Sequence, residues 1–123
     1  MSNDFKVLIV DDDHENQAVI SELLDFSDID FDLADDGQQA LDRITAKDYN
    51  IVLMDIMMPV MDGLEATSRI RALDEPKAST PVVAVSARRD LKAKAQWKAQ
   101  GLDDFLTKPF TEEGLLSVLA RYR

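Results

Sequence analysis

The sequence contains no cysteine, and this absence excludes disulfide bonds and thiolate metal sites. It suits a reducing compartment, so we expect a cytoplasmic protein. No apolar run approaches the roughly 20 residues that a membrane-spanning helix needs, and no cleavable signal pattern opens the chain. No linker, repeat or low-complexity stretch divides the 123 residues. We therefore expect one domain over residues 1–123, with its core at about 5–121.

The chain also has fewer basic than acidic residues. The net charge is −10, which argues against a nucleic-acid-binding surface. Twelve of the 24 acidic residues fall within residues 1–36, where Lys6 is the only base. Basic residues concentrate instead in residues 88–98. This uneven distribution indicates different tasks for different faces; the basic segment either forms a partner surface or solvates an alanine-rich helix.

Short apolar runs alternate with helical patterns along the chain. Nearly all-apolar runs, typical of strands covered on both faces, occupy residues 5–10, 50–55 and 81–86, and weaker strand patterns occupy residues 30–34 and 103–107. The predicted helices cover residues 14–26, 37–44, 63–73, 91–100 and 112–122. Five such strand-helix units with right-handed crossovers build a parallel sheet with helices on both faces. The predicted fold class is α/β, a doubly wound (βα)5 sheet.

Several residues mark where the predicted helices begin and end. Asp36 and Asp62 are placed to cap the second and third helices, with Gln39 positioned to reach back in a capping box. Gly101 supplies a left-handed stop after the fourth helix. The first helix carries an apolar stripe of Val19, Leu23 and Leu24.

Each strongly predicted strand ends in a polar residue, and so does the weaker fifth strand. These residues are Asp11 and Asp12 after the first strand, Asp55 after the third, Ser86 after the fourth and Lys108 after the fifth. The carboxyl ends of parallel strands share one edge of the sheet, where functional groups gather near the switch in strand order. The sequence therefore predicts a pocket that combines three carboxylates, a hydroxyl and an ammonium group.

The chemistry of this pocket follows from its charge. Two carboxylates about 5 Å apart repel by about 3 kcal/mol at an effective dielectric of about 20, so a positive group is expected among them. An all-oxygen ligand set suits Mg²⁺, which keeps several waters and binds phosphates. Lys108 and Ser86 would complete a cradle for a phosphoryl group. Asp55, the single acid at the end of the most central strand, is the best candidate for a carboxylate nucleophile.

Simpler interpretations exist for each residue alone. Asp13 is expected to cap the first helix, where the helix dipole contributes up to about 1 kcal/mol. His14, a lone histidine on the first helical turn, is expected to be structural or to face solvent. Asp55 alone could be a turn residue, and Ser86 and Lys108 ordinary surface groups. Their coincidence at separate strand ends favours a functional site.

Four segments carry a family resemblance: "LIVDDD", "LMDIMMPVMDG", "VVAVSA" and "DDFLTKPF". In this order and spacing they resemble the receiver domain of two-component response regulators, including receivers fused to hybrid histidine kinases. The resemblance covers about residues 5–121. It implies a flavodoxin-like sheet with strand order 2-1-3-4-5.

The resemblance also implies roles for the acidic residues. Asp55 matches the phosphoryl-accepting aspartate and is also expected among the metal ligands. Asp12 matches the acid that binds Mg²⁺ directly, and Asp11 the neighbour that holds it through water. Mn²⁺ is the expected substitute for Mg²⁺. Met57 would lend its backbone carbonyl to the metal, and its side chain stands where phosphoryl lifetime is tuned.

Further roles fall at the fourth and fifth strands. Ser86 and Lys108 match the partners of the phosphoryl group, and the bond between Lys108 and Pro109 is expected to be cis. Phe105 matches the aromatic residue that moves inward when the hydroxyl moves. Arg88 stands at a second position that tunes phosphoryl lifetime. Trp97 is expected to anchor the fourth helix to the sheet.

The partners implied are a histidine kinase or a histidine phosphotransfer protein, together with a downstream protein at the face of the fourth helix, fifth strand and fifth helix. No nucleic acid or membrane is expected, nor turnover of outside substrates. One alternative is an excised hybrid-kinase receiver that passes phosphate onward. A Mg²⁺-dependent phosphohydrolase is a second, although Met57 stands where such enzymes need a further acid. The third is a phosphorylation-independent interaction module.

Overall fold

Strands and helices alternate along the part of the chain that the computed structural model describes, residues 5–56, 61–87, 91–108 and 110–122. The elements are β1 (Lys6–Val10), α1 (His14–Phe26), β2 (Asp30–Ala34), α2 (Gly37–Ala46), β3 (Ile51–Asp55), α3 (Gly63–Arg71), a 3₁₀ turn (Lys77–Ser79), β4 (Val82–Ser86), α4 (Leu91–Ala99), β5 (Asp104–Thr107) and α5 (Glu112–Ala120). All strands pair in parallel, in the order β2-β1-β3-β4-β5. The predicted fold class and strand order are confirmed.

The central strands are buried on both faces, as their unbroken apolar sequences predict. Alternate residues of a strand point to opposite faces, so the sheet divides the core into two clusters. The cluster on one face includes Val10, Met54, Ile44, Ile70 and Trp97, from β1, β3, α2, α3 and α4. The other includes Ile9, Leu53, Ile20, Leu24 and Leu115, from β1, β3, α1 and α5. Helices α1 and α5 thus cover one face of the sheet, and α2, α3 and α4 the other.

Helix α1 corrects part of the prediction. Its buried residues are Gln17, Ile20 and Leu24, whereas Val19 is 53% exposed and Leu23 is half-buried. The core-facing stripe is therefore rotated relative to the predicted one and includes a glutamine. This is possible because the Gln17 amide finds hydrogen-bond acceptors at the ends of β1 and β2.

The helix caps follow the sequence closely, with one difference. Asp36 and Asp62 accept hydrogen bonds from the backbone N–H groups three residues on, at 2.8 Å in both cases. The Gln39 side chain, however, accepts from the N–H of Asp35 at 3.0 Å. The predicted reciprocal bond thus reaches one residue further back, because Asp35 lies between β2 and the cap.

Helix α4 is attached to β5 through aromatic packing. Trp97 is 5% exposed and belongs to the core, and its ring centroid lies 5.9 Å from that of Phe105. Gly101 follows with φ of +108°, the left-handed conformation predicted for the helix stop. The expected anchoring role of Trp97 is confirmed. Among the described helices, none is both long and apolar enough to cross a bilayer.

Asp32 on β2 accepts a hydrogen bond of 2.6 Å from the Tyr49 hydroxyl, and the ammonium groups of Lys47 and Lys6 lie 3.4 and 3.6 Å away. Burial alone raises the pKa of Asp32, but the Tyr49 hydrogen bond and the two lysines outweigh burial and hold this pKa below its usual value. Through these contacts, Asp32 links β2 to Lys6 of β1 and to Lys47 and Tyr49 in the segment before β3.

Replacing the hydroxyl donor (Tyr49→Phe) should raise the pKa of Asp32 and reduce the free energy of unfolding at neutral pH by about 1–2 kcal/mol. A carboxyl group whose pKa is lowered by folding stabilises the fold above its unfolded pKa, and this is lost as pH falls through the folded pKa. The difference from wild type should therefore shrink below about pH 4. Urea denaturation at neutral and acidic pH, with a ¹³C titration of Asp32, measures both effects.

The matched control is Tyr122→Phe, because the Tyr122 hydroxyl lies 3.4 Å from a different carboxylate, Asp104. It should leave the Asp32 titration unchanged. An unaltered Asp32 pKa in Tyr49→Phe would contradict the assigned cause.

Candidate metal centre

The ends of β1 and β3, neighbours at the centre of the sheet, bring three carboxylates together. One oxygen each from Asp11, Asp12 and Asp55 lies within 4.8 Å of the others. Asp11 and Asp55 are buried, at 2% and 6% exposure, and Asp12 is exposed. The cluster thus has a buried base and opens to solvent at Asp12, which confirms the predicted meeting of these acids.

Lys108, which follows β5, reaches this cluster. Its Nζ lies 3.5 Å from Asp11 Oδ2 and 3.9 Å from Asp55 Oδ2, with 26% of its side chain exposed. Its backbone N–H donates a 2.8 Å hydrogen bond to the carbonyl of Ser86, which extends the β4–β5 pairing by one step. One ammonium cannot balance three carboxylates, so the described part of the site keeps an excess of negative charge.

Asp11 is fixed by hydrogen bonds on every side. Its N–H donates to the carbonyl of Ala34 at 3.1 Å, its Oδ1 accepts from the N–H of Asp13 at 2.9 Å, and its carbonyl accepts from Nε2 of Gln17 at 2.6 Å. Its Oδ2 faces Lys108. Asp13 in turn caps α1, as predicted, by accepting from the N–H groups of its first turn.

Gln17 is a site residue that sequence reasoning missed. A signal was present, since Gln17 stands three residues before Ile20 and seven before Leu24, on the core-facing stripe of α1. A polar residue at such a position needs internal partners. The predicted stripe is wrong at Val19, which is exposed, whereas Leu24 is buried and Leu23 packs against the core as predicted.

The start of α3 lies close to the end of β3. The N–H of Gly63 donates to the carbonyl of Ile56 at 3.1 Å, and a Cβ at Gly63 would lie 2.4 Å from the Asp55 carbonyl oxygen. Only glycine permits this approach of the helix start to the backbone of β3. The hydrogen bond from Gly63 joins the start of α3 to the residue that follows Asp55.

Ser86 and Phe105 lie on the β4–β5 side of the cluster. Ser86 is 6% exposed and ends β4, the neighbour of β3 on which Val85 pairs with Asp55. Phe105 is half-buried and rests on the Trp97 ring with an interplanar angle of 37°. Ser86 is thus on the strand next to β3, and Phe105 is one strand further from the acidic cluster.

Three predicted positions lie outside the described residues: Met57, Arg88 and Pro109.

His14 is described, and its side chain is 76% exposed with Nε2 3.3 Å from Asp35, as expected for a solvent-facing residue. The hydrogen bond from Gln17 is the main cause that lowers the pKa of Asp35, with a smaller contribution from His14.

The ligand atoms that the cluster offers indicate which cation the site fits. Asp11, Asp12 and Asp55 offer only carboxylate oxygens, and hard cations such as Mg²⁺ prefer this chemistry. The exposed side at Asp12 leaves room for the waters that Mg²⁺ retains. The residues therefore fit a magnesium ion.

Comparison with known proteins places these features in a family. Residues 7–120 match the family model described as the response regulator receiver domain. The chain is 38% identical over 117 residues to the signal transduction histidine-protein kinase BarA of Escherichia coli, covering 95% of this chain and 13% of that protein. The chain therefore spans only about an eighth of this relative's length.

Two solved structures show the same fold. One is the receiver domain of the sensor histidine kinase PA1611 from Pseudomonas aeruginosa, described with a magnesium ion coordinated in its active site cleft (33% identity, TM-score 0.87, 96% of each chain covered). The other is the receiver domain of Ssk1 of Saccharomyces cerevisiae in co-crystal with the histidine phosphotransfer protein Ypd1 (28% identity, TM-score 0.90, 96% of this chain and 88% of that chain covered). Together with the family match and the geometry, these likenesses are decisive: the chain belongs to the response regulator receiver domain family.

Proposed function

We propose that this receiver accepts a phosphoryl group from a phosphohistidine onto Asp55 in a Mg²⁺-dependent reaction and thereby switches a signalling surface. The observation that carries the proposal is the meeting of Asp11, Asp12 and Asp55 with Lys108 at one edge of the sheet. This arrangement supports a role for Asp55 as a carboxylate nucleophile beside a cation site and the Lys108 ammonium group.

Each residue has a distinct task in the transfer. An oxygen of the Asp55 carboxylate bonds to phosphorus while the phosphorus–nitrogen bond breaks, and the imidazole leaves with the electron pair. Lys108 and Ser86 contact the phosphoryl oxygens and stabilise their charge. Asp11, Asp12 and Asp55, with the backbone carbonyl of Met57, would hold the metal. When bound, Mg²⁺ supplies positive charge for the carboxylates and the phosphoryl oxygens, and Mn²⁺ shares this preference for oxygen ligands.

Phosphorylation would alter the surface formed by α4, β5 and α5. Ser86 and Lys108 would be drawn toward the phosphoryl group, and Phe105 would move inward toward the space that Ser86 leaves. The contact between Phe105 and Trp97 supports this route, since it joins β5 directly to α4. Met57 and Arg88 would tune the lifetime of the phosphorylated state, and the Lys108–Pro109 bond would be cis.

The partners follow from the relatives. A histidine kinase or histidine phosphotransfer protein would supply the phosphoryl group, and a downstream protein would bind the α4-β5-α5 surface, in the cytoplasm and without direct contact to nucleic acid or membrane. Residues 1–123 would act as one receiver domain that modifies itself and turns over no outside substrate. The similarity to a kinase much longer than this chain favours a second candidate, a hybrid-kinase receiver that passes phosphate onward.

Beryllofluoride with Mg²⁺ should mimic the phosphorylated state and shift the backbone amide signals of Asp55, Ser86 and Phe105 in NMR spectra. Asp55→Ala should abolish the response because the acceptor oxygens are gone. Asp42→Ala removes an exposed acid of α2 that accepts from Gln38, and it should respond like wild type. An undiminished response in Asp55→Ala would refute the assignment.

Asp55→Asn should stabilise the protein in EDTA by about 1–2 kcal/mol, because relief of the repulsion with Asp11 and Asp12 exceeds the lost attraction to Lys108. Urea denaturation measures this difference, and added Mg²⁺ should narrow it by stabilising the wild type. Asp42→Asn makes the same charge change away from the site and should stay within about 0.5 kcal/mol of wild type. A less stable Asp55→Asn protein in EDTA would contradict the excess of negative charge.

Small-molecule phosphoryl donors can distinguish a receiver from a phosphohydrolase. Phosphoramidate, which carries a phosphorus–nitrogen bond as phosphohistidine does, should phosphorylate the peptide that contains Asp55 when Mg²⁺ is present. p-Nitrophenyl phosphate should release no nitrophenol above the Asp55→Ala background. Mass spectrometry and absorbance follow the two reactions, and sustained nitrophenol release would favour the hydrolase.

A further inference from the structure

The side-chain amide of Gln17 forms a hydrogen-bonded junction beneath the acidic cluster. Its Nε2 lies 2.6 Å from the carbonyl oxygen of Asp11, 3.2 Å from that of Ala34 and 2.8 Å from Oδ1 of Asp35. Two N–H groups thus serve three acceptors. Gln17 is 5% exposed, and its bonds to the two backbone carbonyls are buried, so their loss is costly. The bond to Asp35 is part-buried.

The bond to Asp11 fixes a peptide group that joins two proposed metal ligands. The carbonyl of Asp11 and the N–H of Asp12 belong to one planar unit. The orientation of this peptide group therefore determines the position of the Asp12 backbone nitrogen and the direction of the chain at Asp12. Asp12 is exposed and lies between β1 and α1, so the direction of its carboxylate depends on that peptide.

The loop between β1 and α1 is closed around this peptide. The N–H of Asp13 bonds Oδ1 of Asp11 at 2.9 Å, and the backbone N–H of Gln17 bonds the carbonyl of Asp13 at 3.0 Å. The Gln17 side chain then returns to Asp11. A single residue of α1 thus holds both ends of the segment from Asp11 to Asp13.

We infer that Gln17 is a positioning residue for the cation, which sets the relative orientation of the Asp11 and Asp12 carboxylates through the peptide between them. The inference rests on the proposed metal site and adds a residue that would not touch the metal. Groups that orient metal ligands typically change metal affinity 10–100-fold when removed. Because Gln17 acts through a backbone carbonyl, the lower end of that range is expected.

The test is the Mg²⁺ affinity of Gln17→Met, which keeps the length and approximate volume of the side chain and removes its donors. NMR titration of the Asp11–Asp13 amides with MgCl₂ should show a dissociation constant about tenfold higher than in wild type. Gln38→Met is the matched control, since Gln38 is exposed on α2 and bonds only Asp42 in the described residues. Its Mg²⁺ affinity should equal that of wild type.

A thermal melt in EDTA separates positioning from simple structural support. Support alone would lower the melting temperature of Gln17→Met and leave its Mg²⁺ affinity unchanged, and that result would overturn the inference. If Gln17→Met does not fold, Gln17→Asn serves instead, because its shorter side chain withdraws the amide from the Asp11 carbonyl; a wild-type affinity there would equally overturn it. If wild type itself binds no Mg²⁺ at millimolar concentration, the proposed metal site fails; wild-type binding with an unaltered Gln17→Met refutes only the inference about Gln17.

Discussion

The crowding of three carboxylates against one ammonium group is the constraint on which this structure depends. Asp11, Asp12 and Asp55 repel one another within 4.8 Å, and Lys108 offsets only part of their charge. The doubly wound sheet can sustain this arrangement because β1 and β3 are buried on both faces and hold the acids at their ends. The unfavourable electrostatics is local, whereas the hydrophobic stabilisation that opposes it is spread over the whole core. Such a conflict between charge and stability is typical of functional sites.

Much of the fold and the centre of the site could be predicted because the relevant signals are local. Strands β1, β3 and β4 are almost wholly apolar, and each leads directly into a polar residue, so strand position and site position are read from the same segments. The parallel arrangement then brings residues as distant in sequence as Asp11 and Lys108 to one edge. The meeting of the three acids with Lys108 is confirmed by the geometry. The catalytic and switching roles of these residues remain predictions.

What could not be predicted depends on contacts between elements. The stripe of α1 is only partly predicted, because Val19 is apolar yet exposed and Gln17 is polar yet buried, with hydrogen-bond acceptors at the ends of β1 and β2. The Gln39 side chain likewise bonds Asp35 rather than Asp36, since the exact path from β2 into α2 decides which N–H lies within reach. In both cases a side-chain amide forms hydrogen bonds with backbone groups at the ends of strands, and the sheet determines where those groups lie. Periodicity alone does not contain that information.

The two sides of the site are held in different ways, and this difference indicates where motion can occur. On the β1 side, Asp11 is bonded through its N–H, its carbonyl and Oδ1, so a change in charge can move it little. On the β4–β5 side, Lys108 reaches the acids with a long side chain that is 26% exposed, and Phe105 is only half-buried. A new charge at Asp55 would therefore be accommodated chiefly by Lys108 and Phe105. Because Phe105 packs against Trp97, its displacement would alter the packing of α4, whereas the β1–α1 loop would stay in place.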